Sequence, residues 1–224
     1  MSSIEDSIQI VQEQIEKACT KAGRSPGEVT LIAVTKRVAA ESVETAIRYG
    51  LKDFGENYVQ EAKEKIDRLG SVGVTWHMIG HVQTNKAKYL PGYFEYVHSV
   101  DKMELLEKLN KYGEPMKVLF ELNLSEEATK EGTDEDGVRR ILEKVSPLMY
   151  IKPVGLMTMA PYVADAEKVR GVFSALRKTL EKMNREFSLD MKELSMGMSS
   201  DFTVAIEEGA TMVRIGTALF GERT

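Results

Sequence analysis

Met116-Lys117-Val118-Leu119-Phe120-Glu121-Leu122 is apolar at every position except Lys117 and Glu121. A strand with one wet face alternates apolar and polar residues, whereas a run this continuous suits a parallel strand covered on both faces. Similar short β-rich runs occur near 29–36, 53–57, 74–80, 96–100, 151–159, 193–199 and 212–219. Helical patterns separate them near 40–50, 57–69, 84–90, 102–112, 134–146, 165–186 and 201–208. Eight such strands alternating with helices predict an α/β fold, a single (β/α)8 TIM-type barrel spanning residues 1–224. The competing arrangement is an open doubly wound sheet.

A helix precedes the first strand. Ile4, Ile8, Val11, Ile15, Ala18 and Ala22 recur at spacings of three and four, which lines one face. Ser2 and Glu5 fit a capping box, and Gly23 suits the position just past the helix end. Only four residues follow Phe220, so no helix is expected after the eighth strand. The N-terminal helix is expected to fill that place.

The chain of 224 residues carries a net charge of -5, which gives a nucleic-acid backbone no long-range attraction. Its single cysteine, Cys19, excludes an intrachain disulfide and a cysteine metal cluster. The N-terminus lacks the features of a secretory signal, and no apolar run approaches the ~20 residues of a membrane span. A cytoplasmic protein is the expectation.

Two places carry chemistry. The first strand, Val29-Thr30-Leu31-Ile32-Ala33-Val34-Thr35, is closed by Lys36. An amine emerging from an apolar wall loses charge readily and attacks aldehydes; equally, a lysine at a strand end can simply reach solvent. Near the other end, Met196-Gly197-Met198-Ser199-Ser200 and Arg214-Ile215-Gly216-Thr217 end the seventh and eighth strands. Barrels often bind phosphate between these two loops. Ser199, Ser200, Gly216 and Thr217 supply amides and hydroxyls for it, with a helix start at Asp201 adding further donors. Arg214, on the barrel-facing side, needs either a carboxylate such as Glu121 or Asp201, or a ligand atom. Asn57 ends the second strand, where it either holds a ligand substituent or caps the next helix. His77 and His81 fit no metal pattern. Met157 and Met159 read as barrel filling or as the floor beneath a flat ligand. The polar loop 125–133 is a candidate lid.

In combination these residues resemble the pyridoxal phosphate homeostasis protein family, whose fold is like the N-terminal barrel of alanine racemase. The matching segments are A-V-T-K (33–36), F-G-E-N-Y (54–58), W-H-M-I-G-H-V-Q-T-N-K (76–86), G-L-M-T-M (155–159), L-S-M-G-M-S-S-D (194–201) and V-R-I-G-T-A-L-F-G (213–221). The resemblance implies pyridoxal 5'-phosphate (PLP) held as an internal aldimine on Lys36. Ser199, Gly216 and Thr217 match residues that hold the phosphate, and Arg214 matches the arginine facing the pyridine nitrogen. Asn57 matches an asparagine near the ring, and Ser200 stands where the family often has an acidic residue. It further implies a role in vitamin B6 homeostasis without robust catalysis, with PLP-dependent apo-enzymes as recipients. An arginine keeps its proton and leaves the ring a poor electron sink. Racemases draw a tyrosine from a separate C-terminal β-domain, which is not expected here; a monomer is expected for the same reason. The alternative is a small PLP-dependent amino-acid racemase.

Overall fold

Eight short strands close on themselves. In the computed structural model, which describes residues 3–70, 73–124 and 131–222, they are β1 (Thr30–Val34), β2 (Asp53–Glu56), β3 (Thr75–Met78), β4 (Tyr96–Val100), β5 (Met116–Glu121), β6 (Ile151–Met157), β7 (Glu193–Ser195) and β8 (Met212–Ile215). Every pairing is parallel and follows chain order, and β8 pairs back onto β1. This is the expected barrel, not an open sheet. The helices are α1 (Ile4–Lys21), α2 (Ala40–Arg48), α3 (Val59–Leu69), α4 (Met103–Asn110), α5 (Glu135–Val145), α6 (Arg170–Phe187), α7 (Phe202–Glu207) and α8 (Thr217–Phe220). Between β3 and β4 a 3-10 segment, Thr84–Tyr89, replaces a full helix. Among the described residues no helix is long and apolar enough to cross a membrane.

The helices form where local chemistry and burial agree. In α5 the Asp134 side chain accepts from the Gly137 N–H at 2.7 Å, while Val138, Ile141, Leu142 and Val145 bury one face. The capping box of α1 is made by Ser3 and Asp6 rather than by Ser2 and Glu5: Asp6 N–H donates to Ser3 Oγ and Ser3 N–H to Asp6 Oδ2. Ser2 lies outside the described residues. Gly23, past the end of α1, has φ +67, which glycine adopts without strain. As expected, α1 fills the open place in the helix ring, packing against α7, α8 and α2. Contrary to expectation, one helical turn, α8, does follow β8.

Alternation along each strand sorts the core into two parts. Phe54, Trp76, Phe120 and Leu156 point outward beneath the helices and join the large apolar layer there. Inside the barrel the apolar residues form a small cluster, Ile32, Leu119, Met157 and Met212. Met157 is thus barrel filling, whereas Met159 is exposed at the rim. The remaining interior positions include Asp53, His77, His98, Ser195, Arg214 and Glu121, a polar content that a purely structural barrel does not require.

One glycine fixes the register on β6. The β5–β6 pairing shifts between Val118 and Leu119, where Val118 faces Pro153 but Leu119 faces Gly155, so β6 carries a bulge. A Cβ on Gly155 would lie 1.9 Å from the Glu193 carbonyl oxygen on β7. Gly155→Ala is expected to lower stability by about 3 kcal/mol through this overlap. Gly171→Ala, in open space, should stay within about 0.5 kcal/mol of the parent. Urea midpoints of the two variants check both statements.

Candidate functional site

The residues expected to act together stand on one rim. The C-terminal ends of β7, β8, β1 and β2 are consecutive around the barrel. They carry, in that order, Ser199 and Ser200; Arg214, Gly216 and Thr217; Lys36; and Asn57. Lys36 does not close its strand. β1 ends at Val34, and Lys36 lies two residues on, half-buried in a turn whose next residue, Arg37, has φ +55.

That turn is held from below. Thr35 N–H donates to Gly55 O at 2.9 Å and its hydroxyl to Glu56 Oε1 at 2.7 Å. Lys65 Nζ, reaching in from α3, donates to Thr35 O at 2.5 Å, to Glu56 Oε1 at 2.7 Å and to Glu61 Oε1 at 2.6 Å. Glu61 Oε1 in turn accepts from the Arg37 N–H at 2.5 Å. Glu56 and Lys65 are buried. Burial pushes the Glu56 carboxyl upward, while its bonds from Lys65 and Thr35 pull it back. Two carboxylates and one ammonium therefore clamp the backbone on both sides of Lys36.

The two loops after β7 and β8 make a donor-rich cup. Gly197, at φ +92, turns the first loop; a Cβ there would meet the Ala205 Cβ at 2.6 Å and the Phe202 Cα at 2.9 Å. Asp201 Oδ1 accepts from the Met198 N–H at 2.6 Å, so Asp201 closes the loop instead of pairing with Arg214. The second loop opens at Gly216, where β8 has already ended. Ser199 Oγ accepts from the Ala218 N–H at 3.3 Å and ties the loops together. The two loops bring the backbone N–H groups of Ser199, Ser200, Gly216 and Thr217 to the same stretch of rim. Such amides and hydroxyls, gathered at one place, match the needs of a phosphate group.

Asn57 does not cap α3, whose N-cap is Tyr58. Its Oδ1 is buried and meets no protein partner. A Cβ on Gly80 would sit 2.5 Å from the Asn57 carbonyl oxygen, so the rim backbones of β2 and β3 touch here. Asn57 and Gly80 line a cavity of about 570 Å³ together with Ile79, His81, Glu131 and Met159. A neighbouring cavity of about 390 Å³ is lined by Glu121, Asn123, Glu131, Met159 and Met198. Neither has Lys36 or Arg214 in its wall. Ser199 and Ser200 border a third space, against Gln14, Lys17 and Lys21 of α1. Residues 125–130 of the candidate lid lie outside the described residues; Thr133 returns to bridge Leu122.

Arg214, 4% exposed, contacts neither carboxylate considered for it. Its Nη1 donates to Ser195 Oγ at 2.6 Å and its Nη2 to Thr158 O at 2.9 Å. Burial lowers its pKa to about 10, with Glu121 and Asp201 pulling it back through space. The guanidinium stays charged at neutral pH. Glu121, 2% exposed, is pushed up to about 7, chiefly by burial and then by Glu131, against the pull of Arg214. Ser195 leads on to the buried rings of His98 and His77. His98, held well below the usual imidazole range by burial, stays neutral. Among the described residues no three His, Cys, Asp or Glu side chains converge as metal ligands. Lys65, Glu61, His98, Ser195 and Thr158 were not singled out in the sequence. Only the inward parity of His98 and Ser195 along their strands hinted at a role.

An amine beside two adjacent donor loops, on the rim of a parallel barrel, defines a class. The family described as "Alanine racemase, N-terminal domain" matches residues 8–224. A pyridoxal phosphate homeostasis protein of Aquifex aeolicus is 42% identical over 217 residues, covering 95% of each chain. One of Pseudomonas aeruginosa is 40% identical over 227 residues, covering 100% of this chain and 97% of its own. The solved structure of PipY of Synechococcus elongatus with PLP bound superposes with a TM-score of 0.82 at 35% identity, covering 93% of this chain and 100% of that one. The chain belongs to the pyridoxal phosphate homeostasis protein family.

Two consequences are measurable. The Glu121 carboxyl has an ordinary pKa of 4.5 and a folded value of about 7, so the fold binds its proton more tightly than the unfolded chain does. The stability this proton lends is complete below pH 4.5 and is lost as pH rises through 7. Glu121→Gln should therefore match the parent near pH 4 and exceed it by on the order of 3 kcal/mol at pH 8; an equal difference at both pH values in urea melts refutes the assignment. Lys65→Met strands the Glu56 and Glu61 carboxylates and is expected to destabilise by about 3–5 kcal/mol at neutral pH, read by the same melts.

Proposed function

We propose that this protein binds PLP reversibly on the β7–β8–β1–β2 rim and serves cofactor homeostasis in the cytoplasm, without robust catalysis. The observation that carries the reading is that Lys36, in the turn after β1, lies between Asn57 and the two donor loops. Lys36 Nζ would be the amine that condenses with the cofactor aldehyde, the carbonyl oxygen leaving as water. Ser199, Ser200, Gly216 and Thr217 would hold the phosphate, the Asn57 amide would lie beside the ring, and Arg214 would face the ring nitrogen. When bound, the cofactor supplies an aldehyde that condenses with amines and a ring that withdraws electrons.

The chain's own residues favour holding over turnover. Arg214 keeps its proton at neutral pH, so it offers the ring nitrogen a hydrogen bond without protonating it, and the electron sink is weak. The clamp of Lys65, Glu56 and Glu61 fixes the turn carrying Lys36, which favours one resting geometry. The relatives' names also describe homeostasis rather than a reaction. On this reading the recipients are apo-enzymes that use the cofactor, and the working form is a monomer.

Titration of the purified protein with PLP should give a visible absorption band that shifts on borohydride reduction, with the added mass mapping to Lys36. Lys36→Ala should lose the band, and Ser199→Ala should weaken binding about tenfold, the worth of one bond to a charged group. An unchanged band in Lys36→Ala rejects covalent attachment. Rapid racemisation of L-alanine, followed by chiral chromatography, would reject the carrier role in favour of a racemase.

A further inference from the structure

Arg214 is one end of a line of polar side chains that crosses the barrel interior. Its Nη1 donates to Ser195 Oγ at 2.6 Å. Ser195 Oγ lies 2.9 Å from His98 Nδ1, His98 Nε2 lies 3.0 Å from His77 Nδ1, and His77 Nε2 lies 3.1 Å from Asp53 Oδ1. Ser195, His98 and His77 are fully buried. Asp53 begins β2, so its carboxylate, 28% exposed, opens toward the rim opposite Lys36.

So long as neither ring is charged, the two ends fix the direction of every link between them. A guanidinium only donates and a carboxylate only accepts. With both rings neutral, one arrangement satisfies all four contacts. The Ser195 hydroxyl donates to His98 Nδ1, His98 Nε2–H donates to His77 Nδ1, and His77 Nε2–H donates to Asp53. Each proton then points away from the cation and toward the anion, and aligned bonds of this kind reinforce one another. His98 is kept neutral by burial first, then by the neighbouring His77 and Arg214. The other groups around the rings agree. Tyr96 stacks on His77 with ring centroids 4.5 Å apart, and its hydroxyl accepts from Lys117, which pairs with Glu95. Neither Lys117 nor Glu95 bonds to either ring.

We propose that His98, His77 and Asp53 are positioning residues for Arg214, acting from the far side of the barrel. A serine hydroxyl rotates to suit its surroundings. Engaged by His98, it must present its lone pairs to the guanidinium, and Asp53 anchors the series. The geometry of the group facing the cofactor ring is thereby set by a carboxylate on the opposite rim. What Arg214 faces rests on the function proposed above; the relay itself does not.

Long-range proton–nitrogen NMR of the histidine rings in the protein without cofactor tests the relay. His98 should appear as the neutral Nε2–H tautomer at pH 7, with His77 Nδ1 as the acceptor of its proton. A charged His98, or one protonated on Nδ1, overturns it. Asp53→Asn, at the rim opposite Lys36, tests the positioning role. It should shift the Arg214 guanidinium resonance and weaken PLP binding about fivefold to tenfold, with Asp53→Glu restoring both. An unmoved resonance with unchanged affinity overturns the role. If the parent fails to bind PLP, the proposed function falls, while the tautomers and the guanidinium resonance still decide the relay.

Discussion

Pairing β8 with β1 sets Ile32 beside Arg214 and Ala33 beside Ile215. Because the ladder is parallel, both strands leave the sheet at the same rim, and Lys36 and Gly216 emerge as neighbours. In an open doubly wound sheet the last strand would have no reason to touch the first, and the amine and the donor loops would be strangers. Everything local about the site presupposes this seam. The chain reinforces it from outside: Arg24, just after α1, donates to Ile206 O at 2.8 Å and Ala210 O at 2.9 Å, and Lys21 pairs with Glu207. A four-residue α8 cannot cover the seam alone, and α1 supplies the missing apolar face.

Closure creates a second constraint, because it encloses a cation. A buried guanidinium loses its hydration and needs replacement partners. Arg214 finds a hydroxyl and a carbonyl in contact, with Glu121 and Asp201 only at a distance. Apolar residues of similar volume would stabilise such an interior at least as well. The polar filling therefore fits the ligand role proposed for this end of the barrel, and Glu121 shows the opposing side of that arrangement: burial holds its carboxyl in a place that resists ionisation.

The fold was legible because each strand carried its own signal. Runs such as 116–122 and 151–157 are apolar on both faces, and helical periodicity between them left few topologies open. The strand ends were harder. Thr35-Lys36 follows the apolar run without a break signal, yet the chain turns at Arg37, a positive-φ residue no pattern marks. Likewise Gly216-Thr217-Ala218-Leu219-Phe220 extends the β-like composition of β8, but it folds into a helical turn, an ambiguity inherent in short apolar runs. The rim residues were found because Lys, Gly and Ser at strand ends have recognised chemistry. The layer beneath was not, because His98 and Ser195 meet only through the barrel interior, and Lys65 with Glu61 reads as an ordinary surface pair four residues apart on a helix.

The two layers have different physical characters. Below the rim, Thr35, Glu56, Lys65, His98 and Ser195 are buried and bonded to one another or to backbone. At the rim, Ser200 and Thr217 are exposed and Ser199 is half-exposed. A group bound by exposed donors exchanges with water at little penalty, since those donors are solvated when it leaves. A group facing buried donors does not, because its departure leaves them without a partner. On the proposed function a reversible holder would profit from both: the floor would orient the ring and the amine, while the exposed hydroxyls of Ser200 and Thr217 would let the phosphate go.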